Sequence, residues 1–273
     1  MTTWIIGPVA WDSVVYTDEF LTRGAFTQGR KFIERSGGTG ANVARALCTA
    51  YTETGFVGYL GNDEHRRQLQ NELDSSGISR LAITKIDGPT SHVLILVDES
   101  GDRTILGLAP DHLDRVSLEG VPLVSGDTVV FVLWRHHFAE DLKLAIDAGC
   151  RVVVGLDAMN DPRVTGVELA IGSHNDLAAG FDPTAHFDRF SRVVVTQGEN
   201  GATEYSPSGQ THQPAFPTRV VDATGAGDSF LAGYLAAMAK GIDDAAERLE
   251  IGARWAAKTV ATESSVPPPF STI

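Results

Sequence analysis

Asp228 lies in a run, Asp222-Ala223-Thr224-Gly225-Ala226-Gly227-Asp228-Ser229-Phe230, that sets a carboxylate among glycines where a helical pattern begins. Gly225 and Gly227 let the backbone approach a ligand closely, and the first amides of a helix have no intrahelical acceptor, so such a turn is an anion site. A carboxylate placed there makes chemical sense as the group that takes a proton from a hydroxyl while the amides of Gly225, Ala226 and Gly227 hold a phosphoryl group. Two common phosphate loops are disfavoured: Phe230 stands where G-x-G-x-x-G needs its third glycine, and no Gly-Lys pair for a Walker A loop occurs in the chain. The competing reading of the segment is a glycine-rich turn capped by Asp222 or Thr224.

A second glycine cluster, Ser36-Gly37-Gly38-Thr39-Gly40-Ala41-Asn42, leads into a helical pattern with Val43, Ala44, Leu47 and Cys48 on one face. Gly38 permits close backbone contact, and Asn42 offers a donor and an acceptor from a rigid helix start, which is what a sugar hydroxyl needs. Asn42 as a plain helix cap is the competing reading.

These elements require a sheet to carry them. The runs Thr128 to Leu133, Val152 to Val154 and Arg192 to Val195 are short and β-branched, as in strands buried on both faces. Between them, residues 139–148 read as a helix ending at Gly149, the pattern of a β-α-β crossover. A further helix is expected over residues 63–73, capped by Asn62 or Asp63, and Ser91 to Asp98 with Arg103 to Leu106 reads as a hairpin. The fold class is α/β.

The 273 residues, 42% hydrophobic, suffice for a sizeable core, and 22 basic against 35 acidic residues give a net charge of −13 that disfavours nucleic acid and anionic membrane as partners. The two cysteines are too few for a disulfide framework and no apolar stretch has spanning length, so a cytoplasmic location is expected.

Together the two glycine motifs resemble the signatures of the ribokinase-like (PfkB) family of carbohydrate and nucleoside kinases. Gly7 to Asp12 resembles the family's first strand and substrate-binding aspartate; Gly55 to Asp63, Gly155 to Arg163 and Val195 to Ala202 match further landmarks in order. The resemblance implies one kinase domain over 1–273, with a mostly parallel central sheet, helices on both faces and a small, reduced β lid from segments of about 13–33 and 91–106. It implies ATP-dependent phosphorylation of a hydroxymethyl group on a sugar, polyol or nucleoside, with Mg2+ and, in several relatives, a monovalent cation such as K+ near Asp222. A non-catalytic sugar- or nucleotide-binding protein of the same fold is the rival reading, and the intact Asp228 and glycines argue against it.

Asp228 is then the base, Asp12, Gly38 and Asn42 hold sugar hydroxyls, and Thr196, Gly198, Glu199 and Asn175 line the nucleotide site with Gly225 and Gly227. Arg135 and His136 follow an expected strand end, where facing the pocket would favour a substrate bearing phosphate or carboxylate. Trp11, Phe26 and Trp134 are candidate platforms for a nucleoside base, or core residues. The chain departs from the family at its Asn-x-x-Glu element: Asn175-Asp176-Leu177-Ala178 lacks the glutamate, and Asp176 is the candidate to hold magnesium through water. Family members pair through their lids, so a homodimer is among the expectations.

Overall fold

The chain alternates by design of its side chains: Ile5 turns to one core while Trp4 and Ile6 turn to another, and all three are fully or almost fully buried. Val130, Val153 and Val194 join Ile5, and Val129, Phe131, Val152, Val154, Val193 and Val195 join Trp4, so each run is covered on both faces. The computed structural model describes residues 1–273 apart from Phe20, Ala179 and Ile273.

In chain order the strands are β1 (Thr3–Ile6), β2 (Ala10–Tyr16), β3 (Lys31–Gly37), β4 (Thr54–Leu60), β5 (Arg80–Lys85), β6 (Ser91–Val97) and β7 (Arg103–Gly107). They continue as β8 (Thr128–Phe131), β9 (Arg151–Gly155), β10 (Val167–Ser173), β11 (Phe190–Thr196), β12 (Ala202–Ser206) and β13 (Gly209–Gln213). The helices are α1 (Thr39–Thr49), α2 (Arg66–Ser75), α3 (Phe138–Asp147), α4 (Ala226–Ala239) and α5 (Ala245–Val260).

The large sheet has nine strands in the order β13-β12-β11-β10-β9-β8-β1-β4-β5. From β11 to β5 every pair is parallel, and β12 and β13 extend the edge antiparallel. One core packs α1, α2, α4 and α5 on one face; the other packs α3 and the stretch Leu113 to Leu118 on the opposite face.

The second sheet, β3-β2-β6-β7, is a small mixed lid. Val14, Tyr16, Ile95 and Val97 are buried on its inner face. Side chains alternate along a strand, so Asp12 shares that face with Val14 and Tyr16; Arg35 shares it with Ile33, and Arg103 lies opposite Val97.

Three boundaries differ from expectation. The first strand of the body is Thr3–Ile6, Gly7 to Val9 is its exit, and Asp12 already lies on lid strand β2: Gly7 N–H makes the last bond, to Val57 O, and Pro8 has no N–H to continue the ladder. The lid strands run 10–16 and 31–37 rather than filling 13–33, a segment in which Phe20 lies outside the described residues. The second helix begins at Arg66, because Asp63 spends one carboxylate oxygen on Thr90 N–H at 2.6 Å and shares the other between Arg66 N–H and the Thr90 hydroxyl.

Candidate active site

Two helix starts, each opened by a glycine with positive φ, meet at the exit of β1. Gly38 precedes α1 at φ 93°, and its missing Cβ would lie 2.7 Å from Pro8 O and from Ala10 N. Gly225 precedes α4 at φ 82°, and a Cβ there would lie 2.3 Å from Ser265 O. Only glycine fits either position without a shift of backbone. Gly225, rather than Asp222 or Thr224, therefore caps α4.

Asp228 sits in the first turn of α4, half-buried, and accepts a hydrogen bond from Asn42 Nδ2 at 2.8 Å and another from the Thr39 side chain. Burial is the largest influence on its carboxyl and pushes it up to about 6, against the Asn42 bond and the charge of Arg103, which pull it down. Among the described residues the amides of Gly225 and Gly227 meet no acceptor, whereas Ala226 N–H is drawn to Ala223 O at 3.3 Å. Of the three amides expected to form an anion hole, two are thus free of acceptors among the described residues. Gly227 is exposed, with nothing within 4 Å of where a Cβ would be.

Asp12 is 3% exposed on the inner lid face, directly across from Arg35 in register. Its carboxyl is pushed up to about 7, chiefly by burial and further by the charges of Asp228 and Asp222, with Arg35 opposing. Asn42, 2% exposed, has its Oδ1 unpartnered among the described residues, so it keeps an acceptor for a ligand hydroxyl. Asp12, Gly38, Asn42 and Asp228 are brought together as expected.

The nucleotide candidates gather at the ends of the neighbouring parallel strands β10 and β11, where Ser173 pairs with Thr196. Thr196 donates its hydroxyl to Gly172 O at 3.1 Å, leaving Gly198, Glu199 and Asn175 exposed beyond the strand ends. Asp176 caps its own turn, accepting from Ser173 N–H at 3.0 Å. Asp157, just after β9, is half-buried; burial raises its carboxyl, and so does the charge of Asp176. Among the described residues no three His, Cys, Asp or Glu side chains could together hold a metal ion.

Arg135 and His136 are engaged elsewhere. Arg135 is paired with Asp111. His136, 87% exposed, reaches Asp161 at 3.0 Å, a carboxylate held below the usual range above all by Arg163. The chain turns at Trp134, whose N–H bonds Asp157 and whose indole bonds Asp161; His136 is exposed, while the charge of Arg135 still reaches Asp157 and pulls its carboxyl down.

Asp222 is fully buried: Oδ1 accepts from Thr224 N–H at 2.8 Å, and Oδ2 accepts from Arg35 Nη2 at 3.0 Å and Tyr16 OH at 3.4 Å. With every oxygen engaged and a guanidinium beside it, this donor set does not fit a monovalent metal cation.

Sequence reasoning missed three side chains at the site. Arg35 and Arg103 come from the lid's inner face, and Arg103 has a buried, unpartnered Nε among the described residues. Thr39 stands inside the second glycine cluster and bonds Asp228 with its side chain. The sequence signal for Arg35 is its period-two spacing from Ile33 and Lys31, visible only once the strand is extended to Gly37.

A parallel α/β body with its site at the strand ends, covered by a small mixed sheet, defines a ribokinase-like fold. The structure of Burkholderia thailandensis nucleoside kinase in complex with inosine matches with a TM-score of 0.85 at 17% identity, covering 98% of this chain and 94% of that one. Arabidopsis thaliana ribokinase complexed with ribose and ATP matches with a TM-score of 0.77 at 20% identity, over 99% and 96% of the two chains. Residues 4–120 and 164–271 match the pfkB family carbohydrate kinases, so the chain belongs to that family. It is a kinase, a phosphotransferase with an alcohol group as acceptor. The ATP-dependent ribose-1-phosphate kinase of Halopiger xanaduensis is 26% identical over 247 residues, 84% of this chain and 82% of that relative. Among the described residues no helix is long and apolar enough to cross a membrane.

Proposed function

We propose that residues 1–273 form one kinase domain that transfers the terminal phosphoryl group of ATP to a hydroxymethyl group of a small sugar or polyol, with Asp228 as the base. The observation that carries this reading is the Asp228 carboxylate in the first turn of α4, bonded to Asn42 and near enough to Asp12 for its charge to shift the Asp12 carboxyl. Asp12 and the free Oδ1 of Asn42 hold the acceptor's hydroxyls. Asp228 takes the proton as the alcohol oxygen bonds to phosphorus and the bond from phosphorus to the departing ADP oxygen breaks, with the Gly225 and Gly227 amides facing the migrating group. With a carboxyl at about 6, Asp228 is ionised near neutral pH and close enough to it to accept a proton effectively.

Thr196, Gly198, Glu199 and Asn175 line the nucleotide side. The magnesium ion that accompanies ATP would be held by Asp157 and Asp176, whose charges face each other across neighbouring strand ends; when bound, it neutralises charge on the phosphates. A sugar is favoured over a nucleoside because the candidate base platforms are committed or remote. Trp11 stacks on His65 at 4.7 Å, Trp134 packs against Phe131 and Phe138, and Phe26 is 87% exposed. Two copies pair through the lids, a reading supported by the exposed Phe32 and Leu106 and checked by sedimentation. A cytoplasmic setting agrees with two free thiols, Cys48 and Cys150.

An ATP-consumption screen over sugars, sugar phosphates, polyols and nucleosides, with Asp228→Asn as control, tests the reading. Turnover of a sugar or polyol that disappears in the variant supports it. Turnover of nucleosides alone would move the assignment to a nucleoside kinase, and turnover of nothing would favour a binding protein.

A further inference from the structure

Asp222 is a carboxylate with no exposure to water, one turn of chain before the anion hole, and a buried carboxylate is costly unless a cation and hydrogen bonds compensate it. The compensation comes from the lid. Arg35 Nη2 lies 3.0 Å from Asp222 Oδ2, and Arg35 Nη1 donates to the main-chain carbonyl of Glu263. Glu263 follows α5, and the end of that helix and the segment after it wrap the anion loop: Val221 and Asp222 N–H both bond Val260 O at the helix end, and Ser265 O abuts Gly225. Lys31, two residues before Ile33 on the same strand face, fixes the Glu263 side chain at 2.5 Å.

One guanidinium therefore joins a carboxylate and a carbonyl oxygen from the two segments that shape the phosphate turn. Those are oxygen donors of the kind that hold a monovalent metal cation at a loop junction, but here the cation is covalently attached to β3. From these contacts we infer that Arg35 is a built-in cation that positions the anion loop, and that this chain needs no potassium or other monovalent ion for turnover. The inference rests on the kinase reading for its rate measurements only. Its physical basis is the permanent charge and fixed planar fork of arginine, which bridges two oxygens without recruiting an ion from solvent. Arg35 Nε also lies 3.8 Å from Asp12 Oδ2, so the same side chain links the lid aspartate to the phosphate turn.

The test compares the wild-type chain and Arg35→Gln in potassium, sodium and choline chloride at equal ionic strength, by kcat, KM and melting temperature. Wild-type kcat and melting temperature should be the same in all three salts. Arg35→Gln should lose about tenfold or more in kcat and regain part of it in potassium, while its melting temperature rises in potassium relative to choline, because a cation that binds only the folded state stabilises it. A wild-type protein that is activated or stabilised by potassium over choline overturns the inference, as does an Arg35→Gln protein that folds yet responds equally to all salts. Should Arg35→Gln fail to fold, the wild-type salt series decides alone. Absence of turnover in every salt, with the melting series as stated, sinks the kinase reading and leaves the built-in cation standing.

Discussion

Asn42 on α1 donates to Asp228 on α4 at 2.8 Å across 186 residues of chain. On the proposed reading the bond joins the helix start that would bind the acceptor to the one that would bind phosphate, so the side chain that would read the sugar also aims the base. It leaves Asn42 Oδ1 free among the described residues, and together with the Thr39 side chain it holds the Asp228 carboxylate in place.

Removing the base tests the centre of the mechanism. Asp228→Asn keeps the shape of the side chain and should lower kcat by about 10³-fold, within the range of general base catalysis, with little change in KM for ATP. Steady-state kinetics on the wild-type acceptor checks it.

Losing the orienting bond should show in the pH profile. The wild-type kcat/KM should rise with pH through about 6 and level off once Asp228 is ionised. The Asn42 bond pulls that carboxyl down, so Asn42→Ala should shift the acid limb to higher pH and cut kcat/KM by about 10- to 100-fold at neutral pH. An unmoved limb would detach Asn42 from the base.

Stability should carry the opposite dependence on pH. The folded pKa of Asp12, about 7, lies above its ordinary 3.8, and that of Asp228, about 6, is raised in the same sense. The folded state binds more protons than the unfolded chain in this window, so the contribution of these groups is full below about 4 and is lost as pH rises through 6 to 7. For Asp12 the loss is at most ~4 kcal/mol. The melting temperature of the ligand-free protein should fall from pH 5 to about pH 8, and Asp12→Asn should flatten the fall while weakening acceptor binding.

The two glycines of the phosphate turn should separate structure from function. Gly225→Ala puts a side chain at φ 82° and a Cβ 2.3 Å from Ser265 O, and should cost about 2–4 kcal/mol in thermal or denaturant unfolding. Gly227→Ala meets open space and should leave stability within about 0.5 kcal/mol while raising KM for ATP or lowering kcat, because the added methyl enters the space where a phosphoryl group would sit.

Much of this was legible in the chain itself. Glycines at 38, 225 and 227, Asn42 and Asp228 stand at fixed offsets within short segments, and local backbone chemistry sets what such segments can do: a glycine at positive φ opens a helix, and a carboxylate three residues on lies in its first turn. The β-branched runs likewise announced a sheet buried on both faces. What only the tertiary structure decided were relations between distant segments. Arg35, spaced like any strand residue, gains its meaning from Asp222 and Glu263, and Arg135 and His136 take Asp111 and Asp161 as partners. Local sequence fixes dihedral preference and periodicity, whereas the partner of a long charged side chain is set by which loops the packed cores bring within a few ångströms, and no spacing along the chain encodes that distance.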